Sequence, residues 1–169
     1  MKKLFLGLFI LGLTIQGYAQ VETVDLTEVE VLGVNYKYLS EVGTSESEVA
    51  KPVKILQRKA ANFDLKSAEF YVDEEMDYDV YFEIPQGKIL AVYNGEGEII
   101  RTSERFKDIA LPLEVVNTIL NEYPGWVIGS DRYLVTYRRG KGAVKTYKLL
   151  LENGEERKWV KTDDKGKFI

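Results

Sequence analysis

The chain has 169 residues, 45% of them hydrophobic and 30% charged, a balance that belongs to a folded globular protein rather than a disordered one. It contains no cysteine and no histidine, which removes disulfides, thiolate chemistry, imidazole bases and every Ser-His or Cys-His nucleophile pair. The net charge of −4 at pH 7 argues against nucleic acid or an anionic membrane surface as the partner.

Residues 1–19 read as a secretory signal peptide. Lys2-Lys3 form a basic start, Leu4 to Ile15 an apolar run, and Gly17-Tyr18-Ala19 a small-x-small cleavage site. The run is shorter than the roughly 20 residues that a spanning helix needs. An exported mature chain beginning at Gln20, periplasmic or extracellular and without a transmembrane segment, is therefore expected. Loss of residues 1–19 removes Lys2 and Lys3 and no acid, so the charge of −4 becomes −6.

Residues 20–47 form an N-terminal strand and linker. Glu28-Val29-Glu30-Val31 alternates as an edge strand within Val21–Leu39, and Gly43 to Glu48 is a polar connector. Residues 48–103 open with a helix near Pro52, a residue suited to the first turn. Val53, Leu56, Ala60 and Phe63 share one face of that helix, which ends near Asn62. Strands are predicted at Lys66–Val72, Tyr78–Ile84, Lys88–Tyr93 and Glu98–Thr102. Pro85-Gln86-Gly87 reads as a bulged three-residue hairpin with Gly87 left-handed, Asn94–Gly97 as a second turn, and Ser103–Asp108 as a polar bridge.

Residues 104–169 repeat the plan. Pro112 opens a helix whose Leu113, Val116, Leu120 and Tyr123 recur at helical spacing, and Pro124-Gly125 stops it. Strands follow at Val127-Ile128, Tyr133–Arg138, Lys145–Glu152 and Arg157–Lys161, with turns at Arg139–Gly142, Asn153-Gly154 and Asp163–Gly166. Pro52 and Pro112 lie 60 residues apart, and Asn94-Gly95 and Asn153-Gly154 lie 59 apart. Two markers at nearly one offset indicate duplication. The fold class is α+β: two repeated helix-plus-antiparallel-meander units, with the helices packed on one face of the sheet.

The helix L-P-x-x-V-x-x-x-I/L-x-x-x-Y-P-G at Leu111–Gly125, with the strand pairs after it, resembles the PepSY-like, β-lactamase-inhibitor-like family of small secreted proteins, found especially in Bacteroidetes. Gly33–Leu39 looks like the lead-in of flavobacterial members. The resemblance spans about Glu48 to Ile169. It implies a helix-backed sheet whose open face binds or inhibits another exported protein or peptide, and it transfers no catalytic residue. Nicotinate-nucleotide adenylyltransferase chemistry is excluded, because those enzymes share an H-x-G-H phosphate site on a parallel sheet and this chain has no histidine.

Other motifs favour bland readings. Asp73–Asp79 has the carboxylates of a calcium loop, but Tyr78 stands where glycine is needed and Ile84 where glutamate is needed. It reads as a solvated acidic hairpin. Arg138-Arg139-Gly140-Lys141-Gly142 lacks P-loop spacing and precedes no helix, so it reads as a basic β-turn. Gly95-Glu96-Gly97 is turn chemistry, and Glu155-Glu156 would point to opposite faces of a strand. No catalytic, cofactor-binding or metal-binding residue is assigned.

The aromatic surplus carries the site expectation. Tyr81, Tyr93, Trp126, Tyr137, Tyr147 and Trp159 lie on or beside predicted strands, where rigid amphipathic rings can anchor a protein partner, although tyrosine also favours any half-buried strand. The expected function is a non-enzymatic binding or inhibitory module. The alternatives are a small periplasmic carboxylate-dependent hydrolase, marked by converging ionisable groups in a pocket, and an envelope ligand carrier, marked by an apolar cavity.

Overall fold

A computed structural model describes residues 33–43 and 49–169. The expected signal peptide and cleavage site, the expected Glu28–Val31 strand and most of the polar connector lie outside the described residues. Helices α1 (Tyr36–Val42), α2 (Lys51–Ala61) and α3 (Leu113–Glu122) accompany six strands: β1 (Tyr78–Ile84), β2 (Gly87–Tyr93), β3 (Ile99–Lys107), β4 (Val127–Arg138), β5 (Gly142–Asn153) and β6 (Glu156–Thr162). The strands form one antiparallel sheet in the order β1-β2-β3-β4-β5-β6, each paired with its neighbour in sequence. The chain is α+β.

The sheet's inner face is the core. Tyr78 and Phe82 of β1, Ile89, Ala91 and Tyr93 of β2, Phe106 of β3, Tyr133, Val135 and Tyr137 of β4, Tyr147, Leu149 and Leu151 of β5, and Val160 of β6 are all buried in a single cluster. Helix α2 covers β1 and β2, and α1 covers β4 and β5 while touching α2. Val115 and Ile119 of α3 join the same cluster. The predicted boundary between residues 103 and 104 falls inside β3.

The α2 stripe is buried as expected: Val53, Leu56 and Ala60 are fully enclosed, and Phe63 packs edge-on against Phe82. The α3 stripe is not. Leu113 is 74% exposed and Leu120 is 55% exposed, whereas Val115 and Ile119 are at 0%. The segment L-E-V-V-N-T-I-L offers apolar residues on two overlapping helical stripes, and periodicity alone cannot choose between them. Pro112 is the N-cap of α3 rather than its first helical residue.

Other expectations need correction. Residues 36–42, expected only as part of the N-terminal strand and linker, form helix α1. Buried Asn35 sets that helix: its amide donates to the carbonyls of Ala61 (3.3 Å) and Gly97 (3.0 Å) and accepts from the Ile99 amide (2.6 Å). Lys66–Val72 contains no strand; it is a series of turns, with Asp64 accepting from the Ser67 hydroxyl. Ser103–Lys107, expected as a bridge, continues β3, with Glu104 and Phe106 inward and Ser103, Arg105 and Lys107 outward. Residues 127–138 are one strand with an irregularity between Ile128 and Ser130.

The β1–β2 connection has two residues, since Ile84 pairs with Gly87. Gly87 is therefore not the left-handed member of a bulged loop. It is glycine for a steric reason, because a Cβ there would lie 2.2 Å from Cδ1 of Phe106 and 2.9 Å from the Arg105 carbonyl oxygen. Gly87→Ala is expected to cost about 1–3 kcal/mol through forced movement of a buried ring. Thermal denaturation checks this; an unchanged melting temperature would show that Phe106 has room to yield.

Candidate functional site

Two places concentrate polar chemistry: a buried carboxylate in the core and the outward face of the sheet. Glu104 points inward from β3 and is 2% exposed. Its Oε1 accepts from the Tyr38 hydroxyl and the Thr102 hydroxyl, both at 2.7 Å, and its Oε2 accepts from Nε2 of Gln57 at 2.8 Å. Burial pushes its carboxyl above the usual range, while the three donors and the charge of Lys145 pull the other way. The same burial, with Glu104 alongside, pushes the Tyr38 phenol up. The group resembles a catalytic acid in its pKa alone. Its oxygens are occupied by donors from α1, α2 and β3, and the side chain is almost wholly enclosed. The network fixes both helices on the sheet.

A pH dependence follows. With its folded pKa raised above 4.5, Glu104 is protonated in both states at lower pH and does not disfavour folding there. As pH climbs from 4.5 through the folded value, the unfolded carboxyl ionises first and folding stability falls, levelling off above it. Unfolding free energy measured against Glu104→Gln is expected to show this decline. A difference that stays flat across the acid range would place Glu104 in a different environment.

Asp131, also on the inner face, is raised by burial and by the nearby Asp108 charge, and accepts from the Ile109 amide at 3.4 Å. The acidic run does not gather into a ligand set. The Tyr78 hydroxyl accepts from the amides of Val72 and Asp73 and donates to the Asp73 carbonyl, which pins the loop. Among the described residues no three or more carboxylates are placed to hold a metal ion. The Arg138–Gly142 turn sends Arg139 onto Glu98 in a two-pronged pair. Among the described residues no helix is long and apolar enough to cross a membrane.

The expected aromatic anchors divide sharply. Tyr93, Tyr137 and Tyr147 face the core at 0%, 1% and 4% exposure, so they are packing residues and not contact residues. Tyr93 donates to the Ala60 carbonyl at 2.6 Å, Tyr137 meets Tyr38 edge-on, and Tyr147 stacks on Tyr133 with centroids 4.5 Å apart. Their strands alternate so that every second residue faces in, and these three fall on the inward parity. Trp126 is half-buried beside the core, edge-on to Tyr123. Only Tyr81 (71% exposed) and Trp159 (43%) stand on the outer face. They occupy β1 and β6, opposite edges of the sheet, and the register offsets them along the strands as well, since Tyr81 lies in the row of Val144 and Trp159 in the row of Leu150. Five strand steps and six residues put them roughly 30 Å apart.

Between them the register lays out a surface that strand-by-strand reading does not show. Lys107 pairs with Arg132, Arg132 with Lys148, and Lys148 with Lys161. Four cations thus stand in one row across β3, β4, β5 and β6. Lys88 likewise faces Arg105, and Arg101 faces Arg138. Trp159 lies beside the row, with the Arg132 guanidinium 5.5 Å and the Lys148 ammonium 4.7 Å from its ring centroid. The outward carboxylates are peripheral: Asp79 and Glu83 on the edge strand β1, and Glu152, which pairs with Arg157 at 3.3 Å. Leu90, Leu134 and Leu150 fill the spaces between, half-buried, and Val144 is 68% exposed. A face of this kind, with rings, aliphatic side chains and cations side by side, can bind.

Compared with family models, with curated proteins and with solved structures, the chain matches none.

Proposed function

We propose that the chain is an exported, non-enzymatic binding or inhibitory module that docks a protein or peptide through the open face of its sheet. The observation that carries this reading is the asymmetry of the sheet. Three helices cover the inner face, whereas the outer face of all six strands presents large side chains with none of the described helices against it. Export rests on the residues of the N-terminal signal and cleavage motif. Kinship with the PepSY-like family rests on the Leu111–Gly125 motif. Duplication remains part of the proposal: the element order α2-β1-β2-β3 and then α3-β4-β5-β6 is consistent with the 60-residue offset of Pro52 and Pro112. The hydrolase alternative gains no support from Glu104, whose carboxylate is buried and bonded to Tyr38, Thr102 and Gln57.

A photo-crosslinking residue at Thr136, exposed in the middle of the open face opposite Ser103 and Val144, tests the reading. Crosslinks to an exported protein or peptide are expected from position 136 and not from position 59 on α2. Crosslinks from position 59 alone, or from neither, would refute it.

A further inference from the structure

We infer that the partner docked on the open face presents an acidic protein segment, seated on the row Lys107–Arg132–Lys148–Lys161. The inference rests on the docking reading above and adds the chemistry of what is docked. Cations directly opposite one another on neighbouring strands repel, and here three such pairs run in succession. Among the described residues no carboxylate forms an ion pair with any of the four. A chain with net charge −4 has acids to spare, yet none stands in this row.

The dimensions favour a compact acidic partner over a long polyanion. The row spans roughly 14 Å over three strand steps. Carboxylates on one side of a helix recur at about 5–6 Å, and those on one face of a strand at about 7 Å, spacings that flexible lysine and arginine stems accommodate. The β1 margin is acidic, with Asp79 and Glu83 outward and Asp73, Glu74, Glu75 and Asp77 exposed just before that strand. That margin lies more than the ~8 Å screening length from the row. A short segment over β3–β6 escapes its repulsion, and a nucleic acid or polysaccharide crossing the whole face does not. Trp159 is already occupied by Arg132 and Lys148, and Tyr81 stands at the far edge among acids. Neither ring offers the row a stacking platform for bases.

Fluorescence anisotropy with a labelled octaglutamate peptide tests the inference, with octaglutamine, a single-stranded oligodeoxynucleotide and a heparin oligosaccharide as comparisons. Octaglutamate is expected to bind, with affinity that falls as salt rises. Arg132→Glu with Lys148→Glu is expected to weaken it about tenfold or more, and Lys59→Glu on α2 to leave it unchanged. Lys107→Glu with Lys161→Glu, which leaves the Trp159 contacts in place, is expected to weaken it in the same sense and guards against misfolding of the first variant. Absence of octaglutamate binding, binding indifferent to both double variants, or tighter row-dependent binding of the oligonucleotide or heparin would each overturn the inference. The two readings separate cleanly. A partner crosslinked at position 136 but held equally by charge-reversed chain and at high salt leaves docking intact and removes the acidic segment. Octaglutamate binding without crosslinks from position 136 removes the docked partner and leaves only the row's own affinity for acidic peptide.

Discussion

Glu104→Ala is expected to lower folding stability by about 3 kcal/mol, because it strands three buried donors at once. The Tyr38 hydroxyl, the Thr102 hydroxyl and the Gln57 amide all end on this carboxylate, and the truncation also leaves a void between α1, α2 and β3. The opposing effect is relief of a buried charge, whose cost is visible in the raised pKa. Removing one partner from a buried polar network normally costs more than it relieves. Glu104→Gln separates the two. It keeps an acceptor for the hydroxyls, and the Gln57 amide can turn its oxygen toward the new donor, so a loss under about 1 kcal/mol is expected. Denaturant unfolding of both variants is the measurement. Equal losses in the two would mean that the network does not hold the helices in place.

The second large effect separates the two faces of α3. Ile119→Ala, at a site with no exposure, is expected to cost about 2–5 kcal/mol, and Leu56→Ala on α2 a similar amount. Leu113→Ala and Leu120→Ala, at 74% and 55% exposure, are expected to stay within about 0.5 kcal/mol of the parent. A reversed order would restore the Leu113–Leu120 stripe to the core and rotate the helix relative to the sheet.

The contrast between α2 and α3 shows what was legible in the sequence. Lys51–Ala61 has one apolar stripe, so the face that docks on β1 and β2 followed from spacing. Leu113–Glu122 has two, and the choice belongs to tertiary neighbours such as Gly166. A Cβ on Gly166 would lie 2.7 Å from Oγ1 of Thr118 and 2.8 Å from the Glu114 carbonyl, so the C-terminal turn sits directly on this helix. Turn chemistry was similarly readable at Asn153-Gly154, where Gly154 has φ 61°. At Gly87 the constraint comes instead from Phe106, a residue distant in sequence.

The candidate site was less legible than the fold for a related reason. Alternation within β5 tells that Lys148 lies opposite in facing to Tyr147, but not which of the two faces water. The core-facing tyrosines consequently entered the candidate set beside Tyr81 and Trp159. The row of four cations exists only once the registers of β3, β4, β5 and β6 are known. A net charge of −4 obscured it further, because total charge says nothing about its distribution over two faces.

If the row is kept for a partner, the free protein carries it at a cost to its own stability. Lys107 and Lys161 end the row and do not lie over Trp159, so Lys107→Gln with Lys161→Gln removes two like-charge pairs and no cation–π contact. Melting of this variant beside the parent, at low and at high salt, tests the point most directly. A gain of about 0.5–2 kcal/mol at low salt, shrinking as salt rises, is expected. A variant less stable than its parent, or a difference indifferent to salt, would mean that the row serves the fold, contradicting a surface held ready for an acidic partner.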